Sequence, residues 1–209
     1  MKSNKTYFIT GISTDVGKTV AAAIVTQSLE ADYWKPIQAG DLDNSDTHKV
    51  KRLVNNEISQ YHDNSYSLKT PMSPHAAAEI DGITVTAASI KRPESTRPLV
   101  IEGAGGILVP INETETIADL IVPTDKVIVV SRHYLGSINH TLLTIELLKA
   151  RGLAVAGIIF SGEEHPTTEA IIENMTGVTI IGRIDEEPYF DENVIAEYAE
   201  RFRESLQAL

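Results

Sequence analysis

Residues Tyr7–Thr19 read YFITGISTDVGKT, and this stretch decides the fold. Tyr7-Phe8-Ile9-Thr10 predicts a short buried strand, and Val16–Ala31 predicts a helix. The turn between them is bounded by Gly11 and closes on Gly17-Lys18-Thr19. A strand that runs through such a turn into a helix aims several backbone N–H groups, and the positive end of the helix, at one spot. That is a cradle for phosphate. Lys18 adds a point charge suited to the β- and γ-phosphates, and the Thr19 hydroxyl suits Mg²⁺. The spacing departs from the Walker A pattern: five residues rather than four separate Gly11 from Gly17, and Ile12 stands where the first glycine is expected. A chance Gly-Lys-Thr is common, but one set between a strand and an early helix points to a nucleotide site.

Outward from this turn, apolar runs of strand length alternate with helix-period stretches. Further strands are predicted at Tyr33–Ile37, Leu99–Glu102, Lys126–Ser131, Val155–Phe160 and Thr179–Ile184. Their near-continuous Val and Ile content suits strands covered on both faces. Further helices are predicted at Asp46–Asn55, Val85–Lys91, Ile117–Val122, Asn139–Arg151, Thr167–Met175 and Asn193–Ala208. This alternation predicts a doubly wound, mostly parallel α/β sheet flanked by helices, with ligands at the carboxyl ends of the strands. A length of 209 residues suits a single domain, 1–209. The least regular region, Ile58–Asp81, is expected to form a long excursion over the site.

Bulk properties narrow the function. A net charge of −11 argues against nucleic acid as the main partner, because phosphate backbones attract basic faces. It leaves ATP open, since a nucleotide site needs only local positive potential. No apolar run approaches the roughly 18 residues of a membrane span. The N-terminal MKSNK leads into a strand and does not read as a signal peptide. With no cysteine, disulfides, thiolate catalysis and Cys-based metal sites are excluded, and a cytoplasmic location is the default.

Four later stretches carry chemistry. Lys35, in Lys35-Pro36-Ile37-Gln38-Ala39-Gly40, follows Trp34 in an apolar strand, where lysine is rarely buried alone. It either snorkels to the surface or reaches the phosphate cradle to hold developing charge. Asp46, in Asn44-Ser45-Asp46, fits the commoner role of helix N-cap and also that of a Mg²⁺ ligand. Leu99-Val100-Ile101-Glu102-Gly103-Ala104-Gly105-Gly106 is a hydrophobic strand ending in an acid, the Walker B arrangement with Glu102 in the acid position. Ser137, in Leu135-Gly136-Ser137-Ile138-Asn139-His140, reads as an N-cap whose helix end suits a carboxylate. At the C-terminal side, Ser161-Gly162 and the Ile184–Phe190 loop fall where a nucleotide base commonly sits. There Tyr189 and Phe190 stack on a base or close the core, the core being favoured for Phe190.

Taken together these motifs resemble dethiobiotin synthetase, nearly end to end. The resemblance rests on the five-spaced loop Gly11–Thr19, residues 35–40, Asn44-Ser45-Asp46, Ser73-Pro74-His75, residues 102–106 and residues 135–140. It implies a closure of 7,8-diaminononanoate with CO₂ to a cyclic urea, driven by ATP with Mg²⁺. It implies Thr19, Asp46 and Glu102 as metal ligands, and Lys18, Lys35 and Thr14 as the catalytic set. Asp15, Val16, Gly17, Lys18, Thr19 and Val20 would line the phosphates. Gly103, Ala104, Gly105, Ser161, Pro188 and Tyr189 would complete the nucleotide site. Ala39, Gly136, Ser137, Ile138 and Asn139 would bind the substrate, the last four from a second subunit, so a homodimer is implied.

Two departures stand out against the family. Ala39 replaces a common hydroxyl residue, leaving one hydrogen bond to be lost or supplied by Gln38. Ser161 replaces an asparagine that commonly reads adenine, which predicts relaxed base selectivity. Two other readings compete: a different carbamate- or amide-forming ligase, and a partitioning-type ATPase switch. The switch usually carries an early lysine in the phosphate loop, where this chain has Ile12-Ser13-Thr14, and no basic amphipathic tail follows here.

Overall fold

The computed structural model of the chain describes residues 5–209; the lead-in Met1–Asn4 lies outside them. In chain order the elements begin with β1 (Thr6–Gly11), α1 (Lys18–Leu29), β2 (Asp32–Trp34), β3 (Ile37–Ala39) and α2 (Asp46–Leu53). There follow β4 (Tyr61–His62), β5 (Tyr66–Leu68), α3 (Pro74–Asp81) and β6 (Leu99–Gly106). The chain ends with β7 (Lys126–Arg132), α4 (Ser137–Ala150), β8 (Ala154–Ser161), α5 (Pro166–Thr176), β9 (Ile180–Ile184) and α6 (Glu192–Ala208). Seven strands form one sheet in the order β4-β2-β6-β1-β7-β8-β9, and each of its ladders is parallel. The doubly wound α/β architecture expected from the sequence is borne out.

The two faces of the sheet bury separate cores, as strand alternation requires. Tyr7, Ile9, Val100, Ile128 and Val130 face α1 and α6, meeting Ile24, Val25, Phe202 and Leu206. Phe8, Ile101, Val127 and Val129 face the other way, toward Ala77 and Ala78 of α3, Ile145 and Leu148 of α4, and Ile172 of α5. Central strands covered on both sides are apolar along most of their length, which is why they read as nearly continuous runs, with the polar exceptions Thr10, Glu102 and Ser131.

Several boundaries differ from expectation. The predicted strand Tyr33–Ile37 is two strands: β2 ends at Trp34, and β3 pairs with β5 in a separate two-stranded sheet. Pro36 has no N–H to continue the ladder, so the chain changes partners there. The region Ile58–Asp81 is more regular than expected, holding β4, β5 and α3. Proline at the first turn and the left-handed Gly82 (φ 67°) bracket α3. The predicted helices Val85–Lys91 and Ile117–Val122 are short 3₁₀ turns at Ala87–Ser89 and Ile117–Leu120.

Candidate functional site

At the carboxyl ends of the strands lies a cleft of about 1080 Å³. Its floor is the turn between β1 and α1. Gly17 caps α1 in a left-handed conformation (φ 92°), and no side chain caps the helix. The first-turn amides of α1 therefore have no intrahelical acceptor and stay free for an anion. Gly11 is required by close packing: a Cβ there would stand 2.6 Å from Val16 Cγ2 and 2.7 Å from the Ser13 carbonyl oxygen. Lys18 is buried and donates to the Ser13 carbonyl at 3.0 Å, which folds its ammonium over the loop. Burial pushes the Lys18 pKa below its ordinary value, against the pull of Glu102.

Beside this loop stands a polar and charged cluster assembled from α1, β2, α2, β6 and the β2–β3 connection. Lys35 Nζ donates to Asp46 Oδ2 at 2.6 Å and to Glu102 Oε1 at 2.9 Å. Thr19 Oγ1 donates to Glu102 Oε1 at 3.0 Å, and Tyr33 Oη donates to Glu102 Oε2 at 2.8 Å. Lys35 and Glu102 are almost wholly buried, and each offsets the cost of burying the other. Burial works to lower the Lys35 pKa, but Glu102 and Asp46 outweigh it and hold the ammonium above its usual range. Burial likewise works to raise Asp46, and Lys35 and Lys49 overcome it to keep that carboxyl below the ordinary aspartate value. Tyr33 is raised well above its ordinary value, by burial first and by the Glu102 charge second, so it stays a neutral donor.

Of the residues singled out from the sequence, Thr14, Asp15, Gly17, Lys18, Thr19 and Val20 line the cleft. So do Lys35, Ala39, Asp46, Glu102, Ala104, Gly105 and Ser161. Val16 and Gly103 are buried beneath it, supporting the loop and β6. Tyr189 is 66% exposed and, like Pro188, lies outside the lining, whereas Phe190 lines the cleft and packs on the α1–α6 core. Gly136, Ser137, Ile138 and Asn139 lie at the start of α4, away from the cleft of their own chain.

Two capping assignments are corrected. Ser45, not Asp46, caps α2, forming a capping box with His48; Asp46 is the first helical residue and is left free to face the cleft. Gly136, not Ser137, caps α4, through a left-handed φ of 103°, and the Ser137 side chain is buried. In both cases the cap falls one residue earlier than the reading from composition.

Two supporting residues, Tyr33 and Lys49, were missed in the sequence, and a third, Gln38, takes a role other than the one expected. Tyr33 holds Glu102, and alternation along β2 could have suggested it. Gln38 accepts from the Asp46 N–H at 3.2 Å and donates to the Gly40 carbonyl at 3.0 Å. Its amide thus seats the start of α2 and is engaged at both ends, so it is not free to replace a hydroxyl at position 39. Lys49, one turn beyond Asp46, also lines the cleft.

The donor set suits one hard cation: two carboxylates and a hydroxyl, all oxygen, beside a phosphate cradle. Among the described residues no group of three or more His, Cys, Asp or Glu side chains could hold a metal ion. A cation here would complete its shell with phosphate oxygens and water, as Mg²⁺ does with nucleotides.

A family model described as an AAA domain matches residues 5–194. The ATP-dependent dethiobiotin synthetase BioD of Christiangramia forsetii is 66% identical over 202 residues, covering 97% of this chain and 98% of that protein. The protein of the same name from Cytophaga hutchinsonii is 47% identical over 197 residues, covering 93% of this chain and 95% of the relative. The chain belongs to the dethiobiotin synthetase family. The resemblance read from the motifs is borne out.

Solved structures with the same fold include the septum site-determining protein MinD of Pyrococcus horikoshii, with a TM-score of 0.61 at 12% identity over 99% of this chain and 96% of that one. A ParA family ATPase from Chlorobium tepidum gives a TM-score of 0.56 at 13% identity, over 99% of this chain and 93% of its own. At such identities the likeness is one of fold alone. The chain thus shares its fold with these proteins, and a shared fold does not by itself assign a function.

Proposed function

We propose that this chain is an ATP-dependent cyclo-ligase that forms dethiobiotin, the product its family is named for, from 7,8-diaminononanoate, CO₂ and ATP. The observation that carries this reading is the convergence of Lys18, Lys35, Thr19, Asp46 and Glu102 on one cleft beside the phosphate loop.

The chemistry has three steps. One substrate amine adds to CO₂ and loses a proton to give a carbamate. A carbamate oxygen attacks the γ-phosphorus of ATP, and ADP leaves. The neighbouring amine attacks the carbonyl carbon of the mixed anhydride, phosphate departs, and the urea ring closes with loss of a proton. Each step crowds negative charge into a small volume and needs positioning more than a protein nucleophile.

Lys35 sits where it can face the carbamate and the γ-phosphoryl oxygens, and its raised pKa keeps it cationic. Lys18 neutralises the phosphates from the loop side, and Thr14 together with the first-turn amides of α1 fixes them in line. Tyr33 and Gln38 hold Glu102 and Asp46 in place. Thr19, Asp46 and Glu102 would hold Mg²⁺, which when bound would supply charge neutralisation for the phosphates.

The base belongs at the β8–β9 end of the cleft, by Ser161. The diamine belongs at the opposite end, by Ala39 and residues 71–74. The substrate carboxylate would be met by Gly136, Ser137, Ile138 and Asn139 of a second subunit in a homodimer. In favour of that arrangement, these residues open a helix and sit among exposed apolar side chains: Leu135 at 105%, Tyr134 at 39% and Ile138 at 36% relative exposure. No helix among the described residues is long and apolar enough to cross a membrane, and a cytoplasmic location is part of the proposal.

The test is phosphate release that requires diaminononanoate and bicarbonate jointly, with Mg²⁺ and ATP, and a product of the mass of the cyclic urea. Turnover with a different diamine, and none with diaminononanoate, would favour a related ligase. ATP hydrolysis that ignores both substrates would favour a switch.

A further inference from the structure

Lys49 lines the cleft and has no part in the scheme above. It stands on α2 one turn after Asp46, with Nζ 3.3 Å from Asp46 Oδ1 and 3.0 Å from Asp41 Oδ2. The other Asp46 oxygen, Oδ2, is taken by Lys35 at 2.6 Å. Both oxygens of the carboxylate assigned to the metal therefore already face an ammonium group.

The two lysines are not equivalent. The Lys35 side chain is 6% exposed and is shared with Glu102, so it is fixed by burial as well as by charge. That of Lys49 is 34% exposed, and its contact with Asp46 is longer. Its second partner keeps it close by. Asp41 has a left-handed backbone (φ 51°), a conformation aspartate tolerates better than most non-glycine residues. The Asp41–Lys49 pair ties that turn to α2 and parks the ammonium beside Asp46.

We propose that Lys49 is a positioning residue acting through Asp46: it holds Oδ1 of this carboxylate until a divalent cation displaces it, and so sets the affinity of the site for the metal. The inference rests on the assignment of Asp46 to the metal in the proposed function. Displacement moves no proton and breaks no covalent bond; the ammonium exchanges one carboxylate for Asp41 and water. An enzyme built this way holds Asp46 in register before the metal arrives, at the cost of weaker metal binding.

The experiment is Mn²⁺ binding in the presence of ADP, read from the electron paramagnetic resonance of free Mn²⁺. It compares the wild-type protein with Lys49→Met, Lys49→Gln, Lys49→Arg and Asp46→Asn. Removing the competing charge in Lys49→Met or Lys49→Gln is expected to tighten Mn²⁺ binding roughly three- to fivefold, the scale of a partly exposed ion pair. Lys49→Arg is expected to restore the wild-type value, and Asp46→Asn to weaken binding. The Mg²⁺ concentration for half-maximal turnover should fall in parallel with the Mn²⁺ dissociation constant.

Unchanged or weaker Mn²⁺ binding in both neutral variants, with binding still lost in Asp46→Asn, overturns the inference and leaves the metal assignment standing. Mn²⁺ binding untouched by Asp46→Asn overturns the metal assignment, and the inference with it.

Discussion

Lys35 Nζ lies 2.9 Å from Glu102 Oε1, and that single buried contact joins the β2–β3 connection to the acid of β6 beneath the cleft. Each partner offsets the desolvation of the other at such burial. The pair is also unfinished: it sits beside a phosphate loop and borrows Asp46 from the rim. Lys35→Gln keeps a donor but removes the charge that developing anions require. Turnover is expected to fall about 100-fold, while nucleotide affinity changes less than about threefold. Steady-state rates and a nucleotide titration check this, and equal damage to both would make Lys35 a mere anchor for ATP.

Tyr33 supplies the other support for Glu102, a 2.8 Å hydrogen bond buried within the protein. Tyr33→Phe deletes this donor and leaves a buried carboxylate oxygen short of a partner. The variant is expected to lose about 1–3 kcal/mol of stability. Urea denaturation should show a lower midpoint at an unchanged slope, since the compactness of the two states is not altered.

Asp32 gives the acid limb of the stability profile. Its carboxylate accepts from Ser95 Oγ at 2.6 Å, from Arg97 Nε at 2.8 Å and from the Gln60 N–H at 2.9 Å. Burial acts to raise its pKa, but these donors and the Arg97 charge outweigh it and hold the group below the ordinary aspartate value. A depressed carboxyl stabilises the fold in full above its unfolded pKa, about 3.9, and loses that contribution as pH falls toward the folded value. The stability gap between wild type and Asp32→Asn is therefore expected to be constant above about pH 5 and to shrink below about pH 4. Urea midpoints measured across that range check the sign.

How much of this was legible beforehand varies along the chain. The β1–loop–α1 unit was readable because both flanking elements are long enough to show their period and the Gly-Lys-Thr run has one dominant use. Glu102 was readable because an acid at the end of a purely apolar strand has no packing reason to be there. Lys35 was visible as an anomaly, but its partners were not, since the ladder break at Pro36 and the pairing of β3 with β5 depend on contacts distant in sequence. The caps at Ser45 and Gly136 were misplaced by one residue because composition does not reveal which residue leaves the helical region. Lys49 went unnoticed for a different reason: a lysine one turn after an aspartate is ordinary on a solvated helix, and only the cleft makes it unusual.

Ser161 sits at the carboxyl end of β8, buried, with its Oγ 3.1 Å from where a Cβ on Gly17 would stand. It therefore faces the cleft close to the phosphate loop, where the proposed function puts the base. A serine hydroxyl rotates to donate or accept, so it suits the amino group of one base and the carbonyl of another. An asparagine amide offers a donor and an acceptor side by side, which pair with the edge of adenine in a bidentate contact that a single hydroxyl cannot make. The wild-type enzyme is accordingly expected to use ATP, CTP, GTP and UTP at rates within about tenfold of one another, and Ser161→Asn to sharpen the preference for ATP by about tenfold or more. Initial rates with each triphosphate at limiting concentration report the selectivity as a ratio of kcat/KM values. A wild-type protein fast with ATP and steeply slower with the other three would remove Ser161 as the determinant and place base recognition in the backbone of the Ile184–Phe190 loop, whose amides a side-chain substitution leaves intact.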